Sequence, residues 1–186
     1  SNLAYNNGTW KINENGLYSD ATDKGDAFLV SEVTGKNFVY QTDIKFDSDK
    51  GCAALVFRSN NELSTKEAYA VNVNAENGNV KFWRWQANNA NQLIAEKTVG
   101  KADTYTLKVV AYNEWILYYV NDQLVASLGD YTLQRDDLGQ TTILTSGYFG
   151  LLNFNSKVTF QNTYYKEFDD SFNPLLSNIT VETDKG

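Results

Sequence analysis

Apolar and polar residues alternate along most of this chain. In Phe38–Phe46 the residues Phe38, Tyr40, Thr42, Ile44 and Phe46 share one parity; Val39, Gln41, Asp43 and Lys45 take the other. A strand points successive side chains to opposite faces, so this segment predicts a half-buried antiparallel strand. Residues 69–74 alternate too, with Tyr69, Val71 and Val73 on one side. The dipeptide Asn77-Gly78 predicts a hairpin turn, from which residues 80–85 return as partner. There Lys81, Trp83 and Trp85 share one face and Val80, Phe82 and Arg84 the other. Residues 53–57 form an unbroken apolar run, which predicts a central strand. In it Leu55 and Phe57 share a face opposite Ala54, Val56 and the terminal Arg58.

Further strands are predicted at 9–12, 27–32, 93–98, 104–112, 115–120, 123–127, 147–154 and 158–165. Residues 1–26 are otherwise turn-rich, and 61–68 leave room for one helical turn. No segment has the pattern of a long amphipathic helix. Residues 170–186, which contain the only proline, Pro174, form an edge strand or a tail. Many short strands with Asn/Gly turns predict an all-β fold, a two-sheet antiparallel β-sandwich. With no internal repeat or linker composition, residues 1–186 form a single domain.

Composition narrows the function. The net charge of −7 speaks against nucleic acid and against anionic membranes, both of which need a basic surface. No stretch is long and apolar enough to span a bilayer. The chain has no histidine, which removes a Ser-His-Asp triad and histidine-bound zinc. Cys52 is the only cysteine, so no internal disulfide forms. The first residue is Ser1 rather than Met, as in an excised module or a mature form, which leaves secretion open. Aromatic residues make up 14% of the chain, and that surplus of Tyr and Trp suits flat polar ligands such as sugars.

Several stretches carry a family resemblance. They are Thr9-Trp10 with Glu14-Asn-Gly-Leu17, Gly51-Cys-Ala-Ala-Leu-Val-Phe-Arg58, and Tyr69-Ala-Val-Asn-Val-Asn74 with Gly78-Asn-Val-Lys-Phe82. Tyr105-Thr-Leu-Lys-Val-Val-Ala111, Ile116-Leu-Tyr-Tyr-Val-Asn-Asp-Gln-Leu-Val125 and Gly147-Tyr-Phe-Gly-Leu-Leu152 continue it. Over most of residues 9–165 the chain resembles the concanavalin/laminin-G-like jelly-roll modules appended to fructan-degrading glycoside hydrolases, in particular carbohydrate-binding module family 66. The resemblance implies a non-catalytic module that binds the non-reducing terminal fructose of levan and related fructans. It implies a covalently attached catalytic domain such as a levanase, secretion from a bacterium, and no required cofactor.

A sugar offers vicinal hydroxyls, which a carboxylate can accept from and an arginine fork can donate to. Arg58 and Glu14 are the candidate clamp, with the family layout placing the Glu14 turn near the strand that bears Arg58. Trp83, Trp85, Tyr69 and Tyr148 are candidate stacking rings, with Trp83 and Tyr69 preferred, and Asp26 is a further polar contact. Plain packing is an equal reading for each ring, and a snorkelling strand end an equal one for Arg58. Trp10 and Trp115 read as core. The acidic set Glu14, Asp20, Asp23, Asp26 and Glu32 could alternatively hold the two carboxylates of a small sandwich glycosidase. A laminin-G-like protein-binding adhesion domain is the third reading. Asp47, Asp49 and Asp122 are available to a structural calcium ion, but no spacing forms a compact calcium loop.

Overall fold

The structure, a computed structural model, describes residues 3–6, 8–62, 66–87, 90–129 and 143–168. The strands are β1 (Leu3–Asn6), β2 (Thr9–Asn13), β3 (Gly16–Asp20), β4 (Asp26–Gly35), β5 (Phe38–Phe46), β6 (Cys52–Ser59) and β7 (Ala68–Asn74). They continue as β8 (Asn79–Trp85), β9 (Gln92–Thr98), β10 (Thr104–Tyr112), β11 (Trp115–Val120), β12 (Gln123–Leu128), β13 (Gly147–Phe154) and β14 (Lys157–Glu167). One seven-stranded sheet runs β1-β4-β13-β6-β7-β8-β9, and the other runs β12-β11-β10-β5-β14-β3-β2. The predicted two-sheet antiparallel sandwich is the observed fold.

Strand parity builds the core. Tyr40 and Ile44 of β5, Leu55 and Phe57 of β6, Val71 and Val73 of β7, and Val80 and Phe82 of β8 point between the sheets. They meet Leu107 and Val109 of β10, Ile116 and Tyr118 of β11, Phe149 of β13 and Phe160 of β14. The aromatic rings interlock largely edge to face, as Phe38 does on Phe149 at 4.7 Å and 74°. The buried Tyr40 hydroxyl donates to the Gly150 carbonyl at 2.6 Å, so its polar end is satisfied, and burial pushes its pKa far up.

Three details differ from expectation. The turn-rich N-terminal stretch contains an edge strand, β1, whose Leu3 pairs with Val30. Trp115, expected in the core, is 46% exposed. In β11 the inward parity belongs to Ile116, Tyr118 and Val120, so Trp115 falls on the outer face, where its ring lies against Gly129. The segment after β6 closes on itself through Asn60 N–H to Glu67 O at 2.9 Å and Glu67 N–H to Asn60 Oδ1 at 3.0 Å. The centre of the expected helical turn, residues 63–65, and residues 170–186 lie outside the described residues.

The third difference concerns Arg58. Opposite β13, the register passes from Val56↔Gly150 to Ser59↔Tyr148, so β6 carries one extra residue there. Arg58 takes φ +49°, which breaks the alternation and turns its side chain off the Ala54/Val56 face. Its Nη1 donates to Leu144 O at 2.9 Å and its Nη2 to Lys36 O at 2.7 Å. The guanidinium lies 5.9 Å from the centre of the Phe38 ring, and the residue is 1% exposed. Gly147 accommodates the bulge, because a Cβ there would come within 2.4 Å of the Arg58 carbonyl carbon.

Candidate functional site

The outer face of the first sheet, turned away from the other sheet, is where aromatic and polar side chains collect. Its residues are those left over when the inward parity is taken by the core. On β7 they are Ala68, Ala70, Asn72 and Asn74, alternating with the inward Tyr69, Val71 and Val73. On β8 they are Lys81, Trp83 and Trp85. On β6 they are Cys52, Ala54 and Val56.

The face divides in two. One half is apolar: Phe28, Val30, Val56, Ala70 and Leu152 are buried there, and Trp83 and Tyr148 pack on them half-buried. Phe28 and Trp85 meet edge to face at 5.9 Å and 73°, closing this half. The other half is hollow, with a cavity of about 400 Å³. Asn72, Asn74 and Cys52 supply its floor, Asp26 and Phe154 one wall, and Lys81, Trp83 and Trp85 the opposite wall. Gln86, Ala87 and Asn91 add a rim from the loop after β8.

Strand register fixes this geometry. Cys52 pairs with Phe154 on one side and with Asn74 on the other. Asn72 stands opposite Ala54 and opposite Lys81. Among the described residues, neither the Asn72 amide nor the Lys81 ammonium has a hydrogen bond or ion pair, although Lys81 lies over the Trp83 ring at 5.8 Å. Two polar groups side by side with hydrogen-bonding capacity to spare can serve a polar ligand.

Lys66 enters from the segment before β7. Its ammonium lies 5.0 Å from the centre of the Trp85 ring, 5.1 Å from that of Phe28, and 3.8 Å from Asp26 Oδ2. Burial pulls its pKa down, and the Asp26 carboxylate partly restores it. The two rings and the carboxylate hold the cation at the border of the two halves. Among the described residues, Asp26 is the one carboxylate lining the cavity.

Burial pushes the Cys52 thiol up, so it stays neutral and forms part of an uncharged floor. Alkylation of Cys52 by iodoacetamide at neutral pH is expected to be slower than that of a free cysteine peptide by roughly tenfold or more, followed by mass spectrometry. A rate equal to the peptide's would place Cys52 outside any enclosed floor.

Of the residues singled out from sequence, Trp83, Asp26 and the nearly buried Trp85 line this cavity, and Tyr148 packs on the apolar half of the same face. Tyr69 does not reach it. Its ring is fully buried between the sheets, 5.7 Å from Phe57 and 5.6 Å from Phe82, and its hydroxyl accepts from Leu144 N at 3.0 Å. Arg58 and Glu14 are not brought together. Glu14 is exposed in the β2–β3 hairpin, where Gln161 binds the neighbouring Asn15 carbonyl. Arg58 binds the carbonyl of Lys36, whose N–H meets Glu167 Oε1 at 3.0 Å. Gln161 and Glu167 stand opposite Asp43 and Phe38 of β5, a separation of about 17 Å along the strand. The carboxylate whose field reaches Arg58 is Glu114.

Among the described residues, no other member of the acidic set, Glu14, Asp20, Asp23 or Glu32, lines the cavity. Asp20 caps a turn, accepting from the Thr22 N–H at 3.0 Å and hydroxyl at 2.7 Å, and these bonds hold its carboxyl below the usual range. Asp49 binds Lys101 at 2.8 Å, and Asp122 occupies the β11–β12 turn with φ +63°. Among the described residues no group of three or more metal-ligating side chains occurs.

Asn72, Cys52, Lys66 and Phe154 escaped the sequence reading. One signal was present: Asn is disfavoured in strands, yet Asn72 and Asn74 alternate with Val71 and Val73.

Comparison with known proteins bears on the whole of this arrangement. A family model described as the 3-keto-alpha-glucoside-1,2-lyase-like domain matches residues 2–166. A fructan beta-fructosidase of Streptococcus mutans is 55% identical over 182 residues, which are 97% of this chain and 13% of that enzyme. A levanase of Bacillus subtilis is 32% identical over 160 residues, which are 84% of this chain and 21% of that enzyme. The chain thus spans about a fifth or less of these curated relatives. The carbohydrate-binding module CBM66 from Bacillus subtilis superposes with a TM-score of 0.74 at 28% identity, covering 89% of this chain and 95% of that one. The resemblance to family 66 carried by the sequence motifs extends to the three-dimensional fold.

Proposed function

The chain belongs to the family of 3-keto-alpha-glucoside-1,2-lyase-like domains, and on that premise we propose that it is a non-catalytic carbohydrate-binding module. Its ligand is a fructan, met at the non-reducing terminal fructose of levan and related polymers. It acts outside the cell, attached to a glycoside hydrolase that it holds to the polymer. The similarity to CBM66 and to two fructan-degrading enzymes supports a sugar-binding role.

The observation that carries the reading is the cavity on the outer face of the first sheet. It joins an indole wall, an amide and an ammonium that have no hydrogen bond or ion pair among the described residues, and one described carboxylate. Trp83 offers a ring to the apolar side of a sugar, while Asn72, Lys81 and Asp26 address its hydroxyls. Hydrolysis by two acids needs a second carboxylate about 5–9.5 Å from the first. Asp26 has none along the described lining.

Calorimetric titration of the isolated domain with levan, inulin and cellulose tests this. Dissociation constants for levan of roughly micromolar to millimolar are expected, with no heat from cellulose. Overnight incubation with levan, inulin and sucrose is expected to release no sugar. Release that disappears in Asp26→Ala would favour an enzyme instead. Absence of affinity for any glycan would favour a protein-binding domain.

A further inference from the structure

We propose that a strand-wide gap in the second sheet receives the chain's own C-terminal segment, residues 169–186, as an added strand. The gap shares no lining residue with the cavity on the first sheet, so the inference is independent of the ligand that cavity takes.

The gap arises because the β2–β3 hairpin is short. β3 accompanies β14 only to Phe160, opposite Leu17, whereas β5 accompanies it as far as Glu167. From Tyr164 to Glu167, a length of about 14 Å, β14 has a strand partner on one side alone among the described residues. Backbone groups alternate in direction along a strand. The Phe168 N–H donates to Asn37 O at 2.8 Å on the β5 side, so the N–H and C=O groups of Tyr165 and Glu167 face the gap.

Beneath this open edge is an apolar cavity of about 420 Å³ between the sheets, lined by Leu17, Leu29, Phe149, Leu151, Phe160 and Tyr165. Tyr165 stacks on Phe149 at 4.5 Å and 19°, yet 41% of it is exposed. Ile12 has the inward parity of Trp10, whose ring stacks on Phe160, but it lies at the bare end of the hairpin and is 85% exposed. The polar side chains of the rim are engaged within the protein. Ser31 Oγ donates to Val33 O, Gln161 to Asn15 O and Asn162 to Asp43, and the Thr163 hydroxyl bonds that of Thr42. What the gap offers is unpaired backbone above an apolar floor, which suits a β-strand and not a sugar. Folded proteins cover such edges.

The C-terminal segment starts in the right place. β14 ends at Glu167, beside the gap, and Asp169-Asp170-Ser171 supplies residues for a short hairpin turn. A chain that turns there returns antiparallel along the open edge. It then carries Phe172, Leu175, Leu176, Ile179 and Val181, apolar side chains of the kind the floor takes. Pro174 is compatible with an added edge strand, where a missing N–H faces solvent.

Amide exchange followed by NMR on the full chain and on a chain ended after Phe168 tests this. The Tyr165 and Glu167 amides are expected to exchange about tenfold or more slowly in the full chain than in the shortened one. The full chain is expected to melt about 3 °C or more higher. A synthetic peptide of residues 169–186 is expected to restore the protection when added to the shortened chain. The full chain carrying Leu176→Asp and Ile179→Asp is expected to exchange like the shortened one, which keeps the test decisive if the shortened chain does not fold. Equal exchange at Tyr165 and Glu167 in all forms would overturn the proposal. So would protection that disappears on dilution together with a dimer seen by sedimentation, since the gap would then belong to a second copy.

Discussion

Arg58→Ala is expected to destabilise the domain by about 3 kcal/mol, lowering its melting temperature by roughly 6–12 °C. The guanidinium satisfies the carbonyls of Lys36 and Leu144, which belong to segments distant in sequence from β6. Truncation leaves both acceptors unpaired in a buried setting and opens a void beside Phe38. Burial has already lowered the pKa of Arg58 to about 10. Because that lies below the value of an arginine in the unfolded chain, charging the group in the fold costs free energy at neutral pH. Its contribution therefore comes from its hydrogen bonds and packing rather than from its charge. Arg58→Met separates these two, since it restores volume without donors, and should recover part of the loss. Denaturant and thermal unfolding measure the difference. If Arg58→Ala melts with the parent and loses levan binding, the arginine belongs to the ligand and not to the fold.

Strand parity made the sandwich legible, because a two-faced sheet with one buried side writes a period of two into β5, β7 and β8. The same parity places Lys81, Trp83 and Trp85 on one face from sequence alone. Applied to Ile116, Tyr118 and Val120 it would also have put Trp115 outside, and only its apolar neighbours suggested otherwise. What parity cannot supply is register between strands. That Cys52 lies beside Phe154 and Asn74, or that Asn72 faces Lys81, depends on pairings set by the whole sheet. Arg58 was misplaced for a related reason. A single extra residue with φ +49° reverses the face of the side chain, and an arginine carries no composition signal for a bulge. Lys66 arrives from a loop, where no period applies, so its place between Trp85 and Phe28 was not readable either.

Trp83→Ala is expected to weaken levan binding by about 2 kcal/mol, near thirtyfold, while the domain stays folded. The indole is half-buried: one part rests on the apolar half of the face, and the rest forms the cavity wall beneath the Lys81 ammonium. Removing it takes away the surface on which a sugar would lie and frees the ammonium from its ring. Its neighbour Trp85 is a poorer probe. Only 8% of that residue is exposed, it packs edge-on against Phe28, and its ring already carries Lys66, so its loss should act mainly on stability. Trp115→Ala is the matched control, an exposed indole on the outer face of the other sheet, and should leave affinity unaltered. Trp83→Phe should retain part of the binding, because a smaller ring still offers a flat apolar face. Parent-like affinity in Trp83→Ala, with an unchanged melting curve, would move the sugar site off the outer face of the first sheet.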